Sequence, residues 1–208
     1  KQAPMRHQDK ADVAFPSYYL ERIYEGAEDL NYALAKLCRA VCTEPLGGPA
    51  PGEGGLASSG DLFAVADPAA AELRGMVTDA VNAYLGNLAE RLYDEPARLK
   101  GGLEISGRAH ILRGGQPLEV AACGGAMYAG TYCVSVPGHI VRSEDAAGDI
   151  VLLSPAPAGA GPALKSELQI RAEDGLLLMF PAYMGHRVPA FSGGAERIAV
   201  EFVVRARA

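Results

Sequence analysis

At Gly101-Gly102 the apolar pattern of the chain changes its period, and that switch limits the fold more than any other feature. Upstream, Leu30, Leu34, Leu37 and Val41 recur at spacings of four, three and four, the stripe of an amphipathic helix over Asp29 to Val41. A second helix is expected from the cap Asp67 and first-turn Pro68 to about Tyr93, with Leu73, Val77, Ala80, Val81, Tyr84, Leu88 and Leu92 on its apolar face. Between them, Glu44 to Gly60 (EPLGGPAPGEGGLASSG) reads as a loop rich in Gly, Pro and Ser. Downstream the sequence breaks into eight short candidate strands: Leu103 to Leu112, Leu118 to Cys123, Gly130 to Val136, Asp149 to Leu153, Leu164 to Arg171, Leu176 to Phe180, Tyr183 to Val188 and Arg197 to Val204. Two helices followed by eight strands predict a mainly β fold, a jelly-roll core with the helices packed on one sheet. The 208 residues read as a single domain, 1–100 mainly helical and 101–208 the β core.

A net charge of −6 argues against nucleic acid and anionic membranes, both of which call for a basic surface. The longest apolar run, Gly175 to Phe180, is far below the roughly 20 residues that span a bilayer. Small molecules are the expected partners. The N-terminus has no apolar segment of signal type, and Cys38, Cys42, Cys123 and Cys133 form no spaced disulfide framework, so a cytoplasmic location is expected. Cys38 and Cys42, one helical turn apart, read as packing residues. A helical face or an open sheet edge could support a homodimer.

With four His and four Cys, any metal or acid-base chemistry draws on a short inventory. His7 lies in the terminal segment and His139 in a Pro-Gly turn, positions of solvated residues. No G-x-S-x-G, H-E-x-x-H or C-x-x-C motif is present. On the last strand Ile198, Val200, Phe202 and Val204 form an apolar face, and Arg197, Ala199, Glu201 and Val203 the other. The second face either looks at solvent or lines a polar cavity.

The run Gly175 to Phe202 (GLLLMFPAYMGHRVPAFSGGAERIAVEF) places a His at 186 and an Arg eleven residues later. It resembles the C-terminal half of the double-stranded β-helix in 2-oxoglutarate/Fe(II)-dependent oxygenases, in particular a bacterial family of small oxygenases with an FPxxxxHxVxP…GxxRIxxxF signature. Arg108 to Gly115 (RAHILRGG), Ala129 to Pro137 (AGTYCVSVP), Ala147 to Pro155 (AGDIVLLSP) and the Asp61-Leu62…Asp67-Pro68 segment extend the resemblance over most of the chain.

The resemblance implies Fe(II) held by an early H-x-H or H-x-D pair plus a distal His, and 2-oxoglutarate held by a downstream Arg. By position His186 matches the distal ligand and catalytic centre, and Arg197 the cosubstrate Arg, whose planar fork suits a carboxylate. Tyr132 matches an aromatic beside the cosubstrate. The early pair falls on Ala121-Ala122-Cys123, where neither His exists. Three readings follow. A rearranged metal site would use His186, His110 and Cys123, with Glu119 alongside, and run an oxygenase-like oxidation of a small molecule. Alternatively, the pocket works without metal as an isomerase, cyclase or lyase with His186 or a Tyr as the acid-base group, or simply binds a carboxylate. In the third, His186 and Arg197 are structural, Arg197 pairing with Glu201. Tyr183 and Met184 either wall the pocket or pack.

Overall fold

The computed structural model describes residues 17–50, 53–92, 102–155 and 166–207. The helical half contains α1 (Glu28–Val41) and α2 (Pro68–Leu92). Glu28 and Asp29 sit in the first turn of α1 and Arg39 in its last, the charge order that the helix dipole favours. Asp67 caps α2 through Oδ1, which accepts from Ala69 N at 2.8 Å. Leu34, Ala35 and Cys38 of α1 are buried, as are Leu73, Val77, Ala80, Val81 and Tyr84 of α2. Cys42 is also buried and its thiol donates to Ala109 O at 3.5 Å. Burial pushes the Cys38 thiol up to about 12 and Cys42 to about 11, so both remain protonated packing groups.

The described residues form eleven strands, in chain order β1 (Leu20–Ile23), β2 (Cys42–Ala50), β3 (Glu53–Ser58), β4 (Leu103–Leu112), β5 (Leu118–Val120), β6 (Tyr128–Ser135), β7 (Ile150–Leu153), β8 (Glu167–Ile170), β9 (Leu176–Pro181), β10 (His186–Val188) and β11 (Arg197–Ala206). They form one sheet ordered β1-β9-β6-β11-β4-β3-β2 and a second ordered β5-β10-β7-β8. All eight expected core strands are present. Several are shorter than their apolar patterns suggest: β5 stops at Val120 and β10 starts at His186, while Leu164 lies outside the described residues. Pro137-Gly138-His139 opens a short helix, α3 (Gly138–Val141), rather than a plain turn.

The expected loop at Glu44 to Gly60 is instead largely the hairpin β2–β3, and β3 pairs with β4. Its Gly and Pro content misleads because a hairpin on a sheet edge takes its hydrogen bonds from the neighbouring strand rather than from its own propensity.

The two faces of the large sheet do different work. Ile198, Val200, Phe202 and Val204 of β11 join Ala109, Ile111, Leu177 and Met179 against the helices. On the other face Leu112, Ala129, Leu178 and Phe180 meet Leu118, Ile150, Leu152 and Val188 of the small sheet inside the roll. Every residue of β9 is buried, as its unbroken apolar sequence requires of a strand covered on both sides. No helix among the described residues is long and apolar enough to cross a membrane.

Candidate functional site

The polar residues of the roll come from a small grid set by strand register. On β11, Arg197 stands opposite Leu112, Ala199 opposite His110, and Glu201 opposite Arg108 of β4. On its other flank, β6 sets Cys133 beside Ala199 and Thr131 beside Glu201. The small side chain of Ala199 leaves room between the two charged residues. His186 arrives from the opposite sheet, at the start of β10 between Val120 and Leu152.

His186 is 2% exposed, and Phe180 packs against its ring edge with centroids 5.2 Å apart. Its Nε2 lies 2.9 Å from Glu201 Oε2. This contact bridges the two sheets, while Glu201 Oε1 is left without a hydrogen-bond partner. Burial works against ionisation of Glu201, but His186, with smaller help from His110 and Thr131, holds the carboxyl below its usual range. His110 is also buried, with Nδ1 unpartnered. Burial lowers its tendency to take a proton, against an opposing pull from Glu201.

Arg197 is 1% exposed. Its Nε donates to Gly148 O at 2.9 Å and its Nη2 to Cys133 Sγ at 3.7 Å, while Nη1 has no partner. Gly148 adopts φ +80°, and a Cβ there would meet Ile140 Cδ1 at 2.5 Å; only glycine brings this carbonyl to the guanidinium. No carboxylate pairs with Arg197 among the described residues. The expected Arg197–Glu201 pair is not formed, because Glu201 turns to His186.

A cavity of about 660 Å³ reaches His110 and Glu201, with Ser58, Asp61, Arg108 and Glu119 also among its lining. A second, of about 580 Å³, lies by α1 around Tyr24, Asn31 and Asp174. It contains none of the candidate residues.

Two expected site residues sit elsewhere. Tyr132 pairs in register with Val200 and so faces the helices, where its hydroxyl donates to Asn31 Oδ1 at 2.8 Å and its ring meets Tyr24 edge-on. Thr131, one residue earlier, holds the place beside Glu201. Tyr132→Phe is therefore expected to cost about 1 kcal/mol in stability and to leave ligand binding unchanged, measured by denaturant unfolding and titration on the same sample. Cys123 lies beyond the end of β5, its Sγ 3.8 Å from Arg205 Nη2, and is not drawn to His186 and His110. Tyr183 is 56% exposed and bonds Ser17, whereas Met184 packs into the roll. His139 is exposed beside Phe191, and His7 lies outside the described residues.

Residues 122–203 match the family model described as "Putative 2OG-Fe(II) oxygenase", a span that includes both His186 and Arg197. The fold is that of the 2-oxoglutarate/Fe(II) oxygenases. Among solved structures, HygX from Streptomyces hygroscopicus with nickel and 2-oxoglutarate bound has a TM-score of 0.63 at 9% identity, covering 91% of this chain and 83% of its own. AviO1 from Streptomyces viridochromogenes Tue57 has a TM-score of 0.63 at 10% identity, with coverages of 92% and 91%. A Pseudomonas putida prolyl-4-hydroxylase gives 0.56 at 16% identity, with coverages of 90% and 92%. No curated protein matches in sequence. The resemblance read from the motifs is thus borne out, and with it an oxygenase-like scaffold.

The residues present fit the two cofactors of the 2-oxoglutarate oxygenases unequally. Arg197 offers a buried fork with a free donor, which suits a carboxylate. The position of the early ligand pair holds Ala121 and Cys123; alanine has no donor, and the cysteine turns to Arg205. Among the described residues no three His, Cys, Asp or Glu side chains group as a metal site. The side chains therefore do not fit iron in the manner of the oxygenase superfamily.

Proposed function

We propose that this chain is an oxygenase-like protein that binds a carboxylate-bearing small molecule through Arg197, with 2-oxoglutarate the first candidate. The observation that carries this reading is a guanidinium 1% exposed with no carboxylate partner among the described residues. An uncompensated buried cation costs several kcal/mol, and a ligand carboxylate at Nη1 would offset that cost. The 2-oxoglutarate bound in HygX supports this choice of ligand. Gly148 and Cys133 orient the fork.

Oxidation through iron held by His186, His110 and Cys123 draws no support from the direction of Cys123. The His186–Glu201 contact favours the second reading, a metal-independent acid-base enzyme or a plain carboxylate binder. Thermal unfolding with and without 2-oxoglutarate and succinate tests the assignment. At a hundredfold excess over Kd, a ligand should stabilise the wild-type protein by about 2.7 kcal/mol. Arg197→Leu should remove the upshift, and Arg197→Lys, which keeps the charge but loses the fork, should reduce it. No upshift with either carboxylate, or an unchanged one in a folded Arg197→Lys, would sink the assignment.

A further inference from the structure

The 660 Å³ cavity has a polar floor that the carboxylate reading does not use. Glu201 and His110 line it, and Glu201 Oε1 and His110 Nδ1 are buried without hydrogen-bond partners. The two residues are diagonal neighbours, because His110 pairs with Ala199, two positions from Glu201 on β11. Such a diagonal spans about 7 Å, so one small group can touch both side chains.

The charge of the lining decides what that group is. Asp61, Glu119 and Glu201 stand against a single Arg108, which is already committed to Glu44 Oε2 at 2.7 Å and Ser58 O at 2.9 Å. Asp61 Oδ1 is used by Phe63 N and Gly107 N. What remains unpartnered beneath the floor is a carboxylate oxygen and an imidazole nitrogen, under a net negative lining that repels an anion and attracts a cationic donor. His186, the side chain a metal would need first, is occupied by Glu201 Oε2.

We propose that Glu201 takes the place of a metal as the partner of His186, and that the cavity in front of Glu201 and His110 binds a small molecule through an ammonium group. A primary ammonium carries three donors and no acceptor, the complement of this floor. A charge-assisted bond of this kind contributes enough to alter affinity about tenfold or more. The site goes beyond the carboxylate reading and does not depend on Arg197.

The test uses three amines, putrescine, ethanolamine and glucosamine, against their uncharged counterparts 1,4-butanediol, ethylene glycol and glucose, read by thermal shift and calorimetric titration on the full chain. At least one amine is expected to bind and its counterpart not to. Glu201→Gln, which keeps the shape of the side chain, should weaken that binding about tenfold or more, and the exposed rim variant Glu119→Gln should weaken it less. Response to no amine, equal binding of amine and counterpart, or binding unaffected by Glu201→Gln would each overturn the proposal. So would one equivalent of Ni(II) per chain that competes with the amine and is lost in His110→Ala, since that result marks a metal site. Arg197→Lys should leave the amine response intact, so failure of carboxylate binding and failure of amine binding remain separate outcomes.

Discussion

Asp149→Ala is expected to lower stability by roughly 3–5 kcal/mol, the range for leaving buried partners uncompensated. Asp149 is fully buried at the edge of β7. Its Oδ1 accepts from Ala172 N at 2.9 Å, and its Oδ2 accepts from Gln169 Nε2 at 2.8 Å, with Arg171 Nε 3.8 Å away. One carboxylate thus ties the start of β7 to β8 and the turn after it. Removing it strands a buried N–H of Ala172 and loosens Gly148, whose carbonyl orients Arg197. For a chain of this size the loss corresponds to a Tm drop on the order of 10 °C. Asp149→Asn keeps one acceptor oxygen and should lose less than half as much. Equal losses in the two variants would show that charge, rather than the acceptor geometry, holds the strand.

Gly130→Ala should cost roughly 3 kcal/mol, at the upper end for overpacking a filled core. Gly130 lies mid-strand in β6, between Phe202 of β11 and Met179 of β9. A Cβ there would stand 2.3 Å from Leu178 O and 2.4 Å from Phe202 Cζ. The carbonyl belongs to the strand ladder and cannot retreat without breaking pairing, while the Phe202 ring fills the space of the missing side chain. Phe202→Leu in the Gly130→Ala background should recover part of the loss, because it removes the ring contact and leaves the carbonyl contact. Chemical denaturation of the single and double variants gives the coupling directly; additive losses would show that the ring is not what the methyl meets.

Both positions show how far local pattern reaches. The alternation of β11 was legible from Arg197 to Val204, because a strand's two faces follow from a period of two whatever it pairs with. The helices were legible for the same reason, since their stripes and the Asp67 cap are local. So was the family pattern around His186 and Arg197, and with it the jelly roll.

Inter-strand register was not legible. It assigns Thr131 rather than Tyr132 to the place beside Glu201, and one residue of offset reverses every side chain on a strand. The hairpin β2–β3 was hidden because its partner, β4, lies more than forty residues downstream in the chain. Cys123 looked available only while β5 was extended through it; the strand ends at Val120, and the thiol follows the turn toward Arg205. The His186–Glu201 contact joins opposite sheets, so no spacing in the chain announces it. Sequence alone determined which side chains could carry the chemistry, through strand alternation and motif. Tertiary structure decided which of them meet, because facing across a roll depends on register and sheet packing, neither of which is written in any single segment.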